Sequence, residues 1–119
     1  MDDYQAAGST TIATDVLLTI AQLTTLSIPG VNRMAPLRGK GMELLLKHGQ
    51  ARDGILLEVA DDLVYVDIYV ILKNDVNVRD TSHIIQRDVA RAISDMVGMQ
   101  VGRINIHIED IDYLPEVKD

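Results

Sequence analysis

The pattern that most restricts what this chain can fold into is a strict alternation at residues 64–73. Val64, Val66, Ile68, Val70 and Leu72 fall on one face of a period-two repeat, and Tyr65, Asp67, Tyr69, Ile71 and Lys73 fall on the other. This is the signature of a strand with one buried face. Ile104, Ile106 and Ile108 repeat it against Arg103, Asn105, His107 and Glu109, so a second strand can share that face. Between the two, Ile85, Val89, Ala92, Ile93 and Met96 recur at helical spacing and predict an apolar stripe that covers it. Upstream, Ile55, Leu57 and Val59 alternate with Leu56 and Glu58, and Asp61-Asp62 is a link short enough to close an antiparallel hairpin. A hairpin turn that tight usually needs positive φ, which aspartate adopts only with strain.

The helix that follows Asn77 has legible ends. Asn77 can cap it, Asp80 at the third position suits the positive end of the helix dipole, and Gly98 stands one position past Val97, where a left-handed residue ends a helix. Nearer the start, Ile12, Val16, Leu17, Ile20 and Leu23 fit a helix over residues 14–26, capped by Thr11 or Thr14, after a short strand at residues 10–12. Residues 31–37 read as an edge strand, because Pro36 has no N–H for a ladder. Residues 38–53 read as a long loop with one helical turn, since Gly39, Gly41 and Gly49 break it. The expected fold class is α+β: a mixed, largely antiparallel sheet of about four strands with two helices packed on one face. The expected organisation is a flexible N-terminus at residues 1–8, one domain at 9–112 and a tail at 113–119.

Composition narrows the function. A chain of 119 residues can bury one core without staples, and the lack of cysteine removes disulfide frameworks, thiolate metal sites and cysteine nucleophiles. Apolar runs such as residues 44–46 and 68–72 are far shorter than the roughly 20 residues of a membrane span, and the start Met1-Asp2-Asp3 is unlike a signal peptide, so a cytoplasmic protein with no direct membrane span is expected. The net charge of −7 repels nucleic acid and anionic lipid, and four tyrosines without Phe or Trp leave few stacking platforms.

Two surfaces stand out. Arg33, Arg38, Lys40, Lys47 and Arg52 share a stretch whose only acid is Glu43, and Arg38-Gly39-Lys40-Gly41 could present amides and charge to an anion, although it matches neither a Walker loop nor a GxxG clamp. On the sheet face away from the helices, Leu56, Tyr65, Tyr69 and Ile71 gather, and tyrosine is favoured at interfaces, so a protein contact surface is expected there. His48, His83 and His107 have no second ligand at zinc spacing, Asp61-Asp62 reads as a solvated turn, and Asp15, Thr24 and Ser27 form no recognisable base and nucleophile pair. No catalytic residue, metal or other cofactor is expected.

Short segments along the chain also carry a resemblance. Residues 8–16 (GSTTIATDV), Ile20-Ala21, Pro29-Gly30-Val31, Gly54-Ile55 before a strand, 64–72 (VYVDIYVIL), Val76-Asn77-Val78, Ile85-Gln86-Arg87-Asp88-Val89, Met96-Val97-Gly98-Met99 and 101–108 (VGRINIHI) follow in order. In that order and spacing the chain resembles the alkaline shock protein family, small domains tied to envelope stress responses in Gram-positive bacteria and their relatives, over about residues 8–111. The resemblance implies a compact α+β domain, a homo-oligomer, and a non-enzymatic scaffold or adaptor role. It also implies a place near the envelope, peripheral to the membrane through a membrane-anchored protein partner. It implies no catalytic residues. The turns at Asp61-Asp62 and Lys73-Asn74-Asp75 depart from the pattern by lacking glycine. The other reading of the residues is an RNA- or anion-binding module built on 33–52, with nucleic acid disfavoured by the net charge.

Overall fold

The alternating run at residues 64–73 becomes the middle of the molecule. The computed structural model describes residues 14–37 and 50–113. Helix α1 (Thr14–Leu26) leads to β1 (Val31–Met34); then come β2 (Gln50–Arg52), β3 (Ile55–Ala60) and β4 (Leu63–Lys73), and helix α2 (Val78–Val97) crosses over to β5 (Gln100–Asp112). β5 runs parallel to β4 along one whole edge, which requires a crossover of the kind α2 supplies. The other edge of β4 is shared by two antiparallel neighbours, β3 against residues 63–68 and β1 against residues 70–72. Tyr69 is the joint between them: its N–H donates to the Gly54 carbonyl at 2.7 Å, and its carbonyl accepts from the Ala35 N–H at 2.8 Å.

The fold is the expected α+β class, with a mixed, largely antiparallel sheet. The described residues hold five strands rather than about four, because Gln50–Arg52, read as part of a loop, pairs with β3 through the turn at Asp53-Gly54. An Asp-Gly pair is among the strongest short-range hairpin signals, and it was masked by the lack of apolar alternation before it. Gly54 has φ +76°, and a Cβ there would lie 2.8 Å from the Tyr69 carbonyl oxygen, so both the conformation and the close approach call for glycine. The short strand expected at residues 10–12 and residues 38–49 of the expected loop lie outside the described residues.

Both helices cover the face formed by Val64, Val66, Ile68, Val70 and Leu72, which is fully buried. From α2, Ile85, Val89 and Ile93 enter the core as expected, but Met96 is exposed and Thr81 extends the stripe instead. From α1 the inward residues are Leu17, Leu18, Ala21 and Thr25, so Val16 and Leu23 are turned away from the core they were expected to fill. The reason is that α1 is apolar on nearly every side, and its periodicity defines no unique stripe; packing on the sheet and on α2 selects one. Thr25 is tolerated inside because its hydroxyl donates to the Ala21 carbonyl at 2.7 Å.

β5 stays in phase with β4 by bulging twice. Its apolar residues Val101, Ile104, Ile106, Ile108 and Ile111 have spacings of three, two, two and three, yet they align with Val64, Val66, Ile68, Val70 and Leu72 because the register shifts once at each odd step. Each shift absorbs one residue, so one face of the strand stays apolar. The ends of α2 match the expectation: Asn77 Oδ1 accepts from the Asp80 N–H at 2.9 Å, and Gly98 adopts φ 72° with its N–H donating to the Ser94 carbonyl.

The hairpin between β3 and β4 turns on Asp61 (φ 53°) and Asp62 (φ 65°), both left-handed as a primed turn demands. Replacing Asp62 by Gly is expected to stabilise the fold by about 1 kcal/mol, read as a higher urea midpoint at unchanged slope. Asp61→Pro, with φ held near −65°, should lower the midpoint. A lower midpoint for Asp62→Gly would show that the aspartate side chain supports the turn more than its backbone conformation costs.

Candidate protein-contact surface

The sheet face away from the helices is largely closed by the chain itself. Leu56, Ile71 and Tyr69, expected there as exposed contact residues, are only 4%, 5% and 9% exposed and form a second cluster with Ala35, against which Leu37 and Ala51 pack. Of these, Ala35 and Leu37 come from the segment just past β1, and Ala51 from β2. The run at residues 68–72 is buried on both sides, and its unbroken apolar sequence is the signal that could have shown it. Toward β5 the same face is polar: His107 stacks on Tyr69 with ring centroids 4.2 Å apart and planes 9° from parallel, and Asp67 Oδ1 lies 2.9 Å from His107 Nε2 and accepts from Asn105 Nδ2 at 3.1 Å. Tyr65 remains half-buried, with the Arg103 guanidinium 5.5 Å from its ring centroid.

The two described cations of the basic segment are each engaged by a carboxylate. Arg33 Nε lies 2.9 Å from Asp112 Oδ2, which also accepts from Asn32 Nδ2, so the pair ties the end of β5 to β1 across β4. The Arg33 hydrogen bond, followed by that of Asn32, holds the Asp112 carboxyl below its ordinary value, and the same bond raises Arg33. Arg52 contacts Asp15 and donates to the Thr19 hydroxyl, pinning β2 to α1. Arg38, Lys40 and Lys47 lie outside the described residues, as does His48. Among the described residues no three His, Cys, Asp or Glu side chains come together as a metal site.

The surface that sequence reasoning missed is the outer side of α1. Val16, Leu23 and Leu26 are 46%, 62% and 42% exposed there. The helix carries a single charge, Asp15, and Arg52 pairs with it. α2 is the opposite, presenting Arg79, Asp80, His83, Arg87, Arg91 and Asp95 to solvent. A helix apolar on all sides is normally buried on all sides, and α1 has only one side covered. Leu26 also borders an open groove of about 370 Å³ lined by Gln22, Arg33, Met34, Pro36 and Asp53. The signal in the sequence was the near absence of charge in TDVLLTIAQLTTL, of which Val16, Leu17, Ile20 and Leu23 were assigned to a single inner stripe.

These features define a class: a small α+β domain with two helices on one face of a mixed sheet, one helix clad in charge and the other with a bare apolar side. The chain belongs to the alkaline shock protein 23 family, described as having a cell envelope-related function, whose family model matches residues 2–113. The uncharacterized protein Spy1535 of Streptococcus pyogenes serotype M6 is 32% identical over 105 residues, covering 87% of this chain and 79% of that protein. YqhY of Bacillus subtilis strain 168 is 24% identical over 106 residues, covering 89% and 78%. Among solved structures, a MamM-CTD variant is similar with a TM-score of 0.49 and 11% identity, over 83% of this chain and 99% of that one. No helix among the described residues is long and apolar enough to cross a membrane.

The Arg33–Asp112 pair gives a pH dependence whose sign is fixed. A carboxyl held low in the folded state contributes stability that is present above the ordinary carboxylate range near 4 and is lost as pH falls through its lowered value. Arg33→Gln should therefore lower the melting temperature most at neutral pH, and the gap to the parent should close in acid. A gap that stayed constant down to pH 2 would mean that Arg33 acts through packing rather than through Asp112.

Proposed function

We propose that this domain is a non-enzymatic scaffold or adaptor that self-associates and docks protein partners near the cell envelope. The observation that carries the reading is the apolar outer side of α1, whose one charge, Asp15, is paired with Arg52, exposed on an acidic molecule. Contiguous exposed apolar residues mark contact sites, because each Å² taken out of water contributes about 25 cal/mol toward binding. Membership in a family with a cell envelope-related function supports the location, and the resemblance to envelope-stress domains supports the stress-related role. Recruitment to the envelope in this reading runs through a protein partner, consistent with the net charge of −7, which disfavours direct contact with anionic lipid. The reading as an anion-binding module on residues 33–52 draws no support from Arg33 and Arg52, each of which is paired within the chain.

The test is a variant carrying Val16→Glu and Leu26→Glu, expressed in the native cell. Both side chains are exposed, so folding should survive, and recovery of the protein with the envelope fraction should fall several-fold relative to the parent. Unchanged recovery, with the variant folded, would overturn this use of α1.

A further inference from the structure

We infer that the free edge of β5 is a docking site for an extended acidic segment of a different protein, which joins the sheet as a further strand. The direction of the backbone groups follows from Tyr69, whose N–H and carbonyl both serve the β3 and β1 side of β4. Its neighbours Ile68 and Val70 therefore turn theirs toward β5, where parallel pairing bonds them to the residues that flank their register partners, Asn105 and His107 among them. Ile104, Ile106 and Ile108 are left pointing their N–H and carbonyl groups out from the sheet. Two side chains agree with that direction: Gln86 Nε2 donates to the Ile104 carbonyl at 2.9 Å, and the Ile111 N–H donates to Asp110 Oδ1 at 2.8 Å. These contacts close the two ends of the edge, and the register shifts near Gly102 and Glu109 bound it. Between them Ile106 and Ile108 each offer a donor and an acceptor that no described residue meets. Edge strands are commonly blunted by lysine or proline, and residues 104–108 (INIHI) hold neither.

Charge decides what the added strand carries. Arg79, His83, Gln86 and Ala90 recur at spacings of four, three and four, which is one flank of α2. Gln86 places that flank beside β5, and α2 runs back against the strand, so His83 and Arg79 stand further along it, level with the open window. On the polar face of β5, Arg103 stands just before the window. Arg79, His83 and Arg103 are exposed and make no ion pair among the described residues. The nearby acids are already held: Asp67 by His107 and Asn105, Asp88 by Arg87, and Asp112 by Arg33. On a molecule of net charge −7 this strip is therefore locally cationic, and acidic side chains on an approaching strand complement it. A groove of about 280 Å³ between Gln86, Ala90 and Gly102 continues the window and can take one side chain of that strand. The alternating donors and acceptors select a peptide backbone over a lipid or a nucleic acid, because only an extended chain repeats at their spacing. A second copy would instead set this cationic flank against itself. No residue of α1 takes part, so the inference stands apart from the reading of that helix.

An NMR titration of the full chain tests this, with a short peptide of alternating Asp and Val as the probe. The amides of Ile106 and Ile108 should shift and become protected from hydrogen exchange as the peptide binds. A peptide of alternating Lys and Val should not bind, and neither should the acidic peptide N-methylated at every residue, which keeps its charge and loses its ladder donors. Arg79→Glu combined with Arg103→Glu should weaken binding roughly tenfold, with melting temperature unchanged. Ile106→Pro removes an outward N–H that β4 does not use and should abolish binding. Should that variant fail to fold, the N-methylated peptide makes the same test on the unaltered protein. The inference is overturned if the acidic peptide does not bind, if the basic or the N-methylated peptide binds as well, or if the paired charge reversal changes nothing. It is also overturned if the Ile106 and Ile108 amides gain protection with rising protein concentration and no peptide, because a second copy then takes the edge. The Val16 and Leu26 variant should bind the peptide as the parent does, so failure here leaves the reading of α1 intact, and failure there leaves this one.

Discussion

The structure depends on β4 being paired along both edges. Every other described strand except β2 bonds directly to it, and β2 reaches it through β3. Its five inward aliphatic residues are fully covered, each contributing about 1.5–3 kcal/mol by leaving water. The second half of the strand is buried on its other side as well, where Tyr69 and Ile71 join Leu56 and Ala35. Two cores thus share one strand. That arrangement explains why Tyr69 carries both the β3 and the β1 junction, and why a glycine must stand opposite it at Gly54.

With β4 in place, the two helices take unequal roles. α2 is amphipathic, capped at both ends and, apart from Val78 and Met96 near its ends, polar or charged where it meets water. α1 has no such finish. It buries Leu17, Leu18, Ala21 and Thr25, and it leaves Val16, Leu23 and Leu26 in contact with solvent. The difference between the helices is that the exposed side of α2 is mostly charged and that of α1 is mostly apolar, the contrast on which the proposed contact role of α1 rests.

Much of the fold was legible because local rules agreed with one another. The alternation at residues 64–73, the cap at Asn77, the stop at Gly98 and the paired aspartates of the hairpin each has a local cause that the tertiary structure had no need to override. The exposed apolar side of α1 was legible in composition but not in position. Leu56, Tyr69 and Ile71 looked exposed because alternation assigned them to the side without helices, and there they are buried in a cluster with Ala35, Leu37 and Ala51. Val16 and Leu23 looked buried because a helix with apolar residues all round admits several stripes. Tyr65, half-buried beneath Arg103, is the one member of the proposed set that keeps substantial exposure.

The sequence by itself determined the class of fold, the ends of α2, the hairpin at Asp61-Asp62 and which face of β4 lies inside, since all of these follow from periodicity and backbone preference over a few neighbouring residues. Only the tertiary structure decided which side of α1 turns inward, that residues 50–52 extend the sheet, that β5 bulges twice to stay in phase, and that the second half of β4 is buried on both faces. Those outcomes depend on what stands opposite each residue across the sheet or between layers. Such partners are distant in the chain, and no local pattern encodes them.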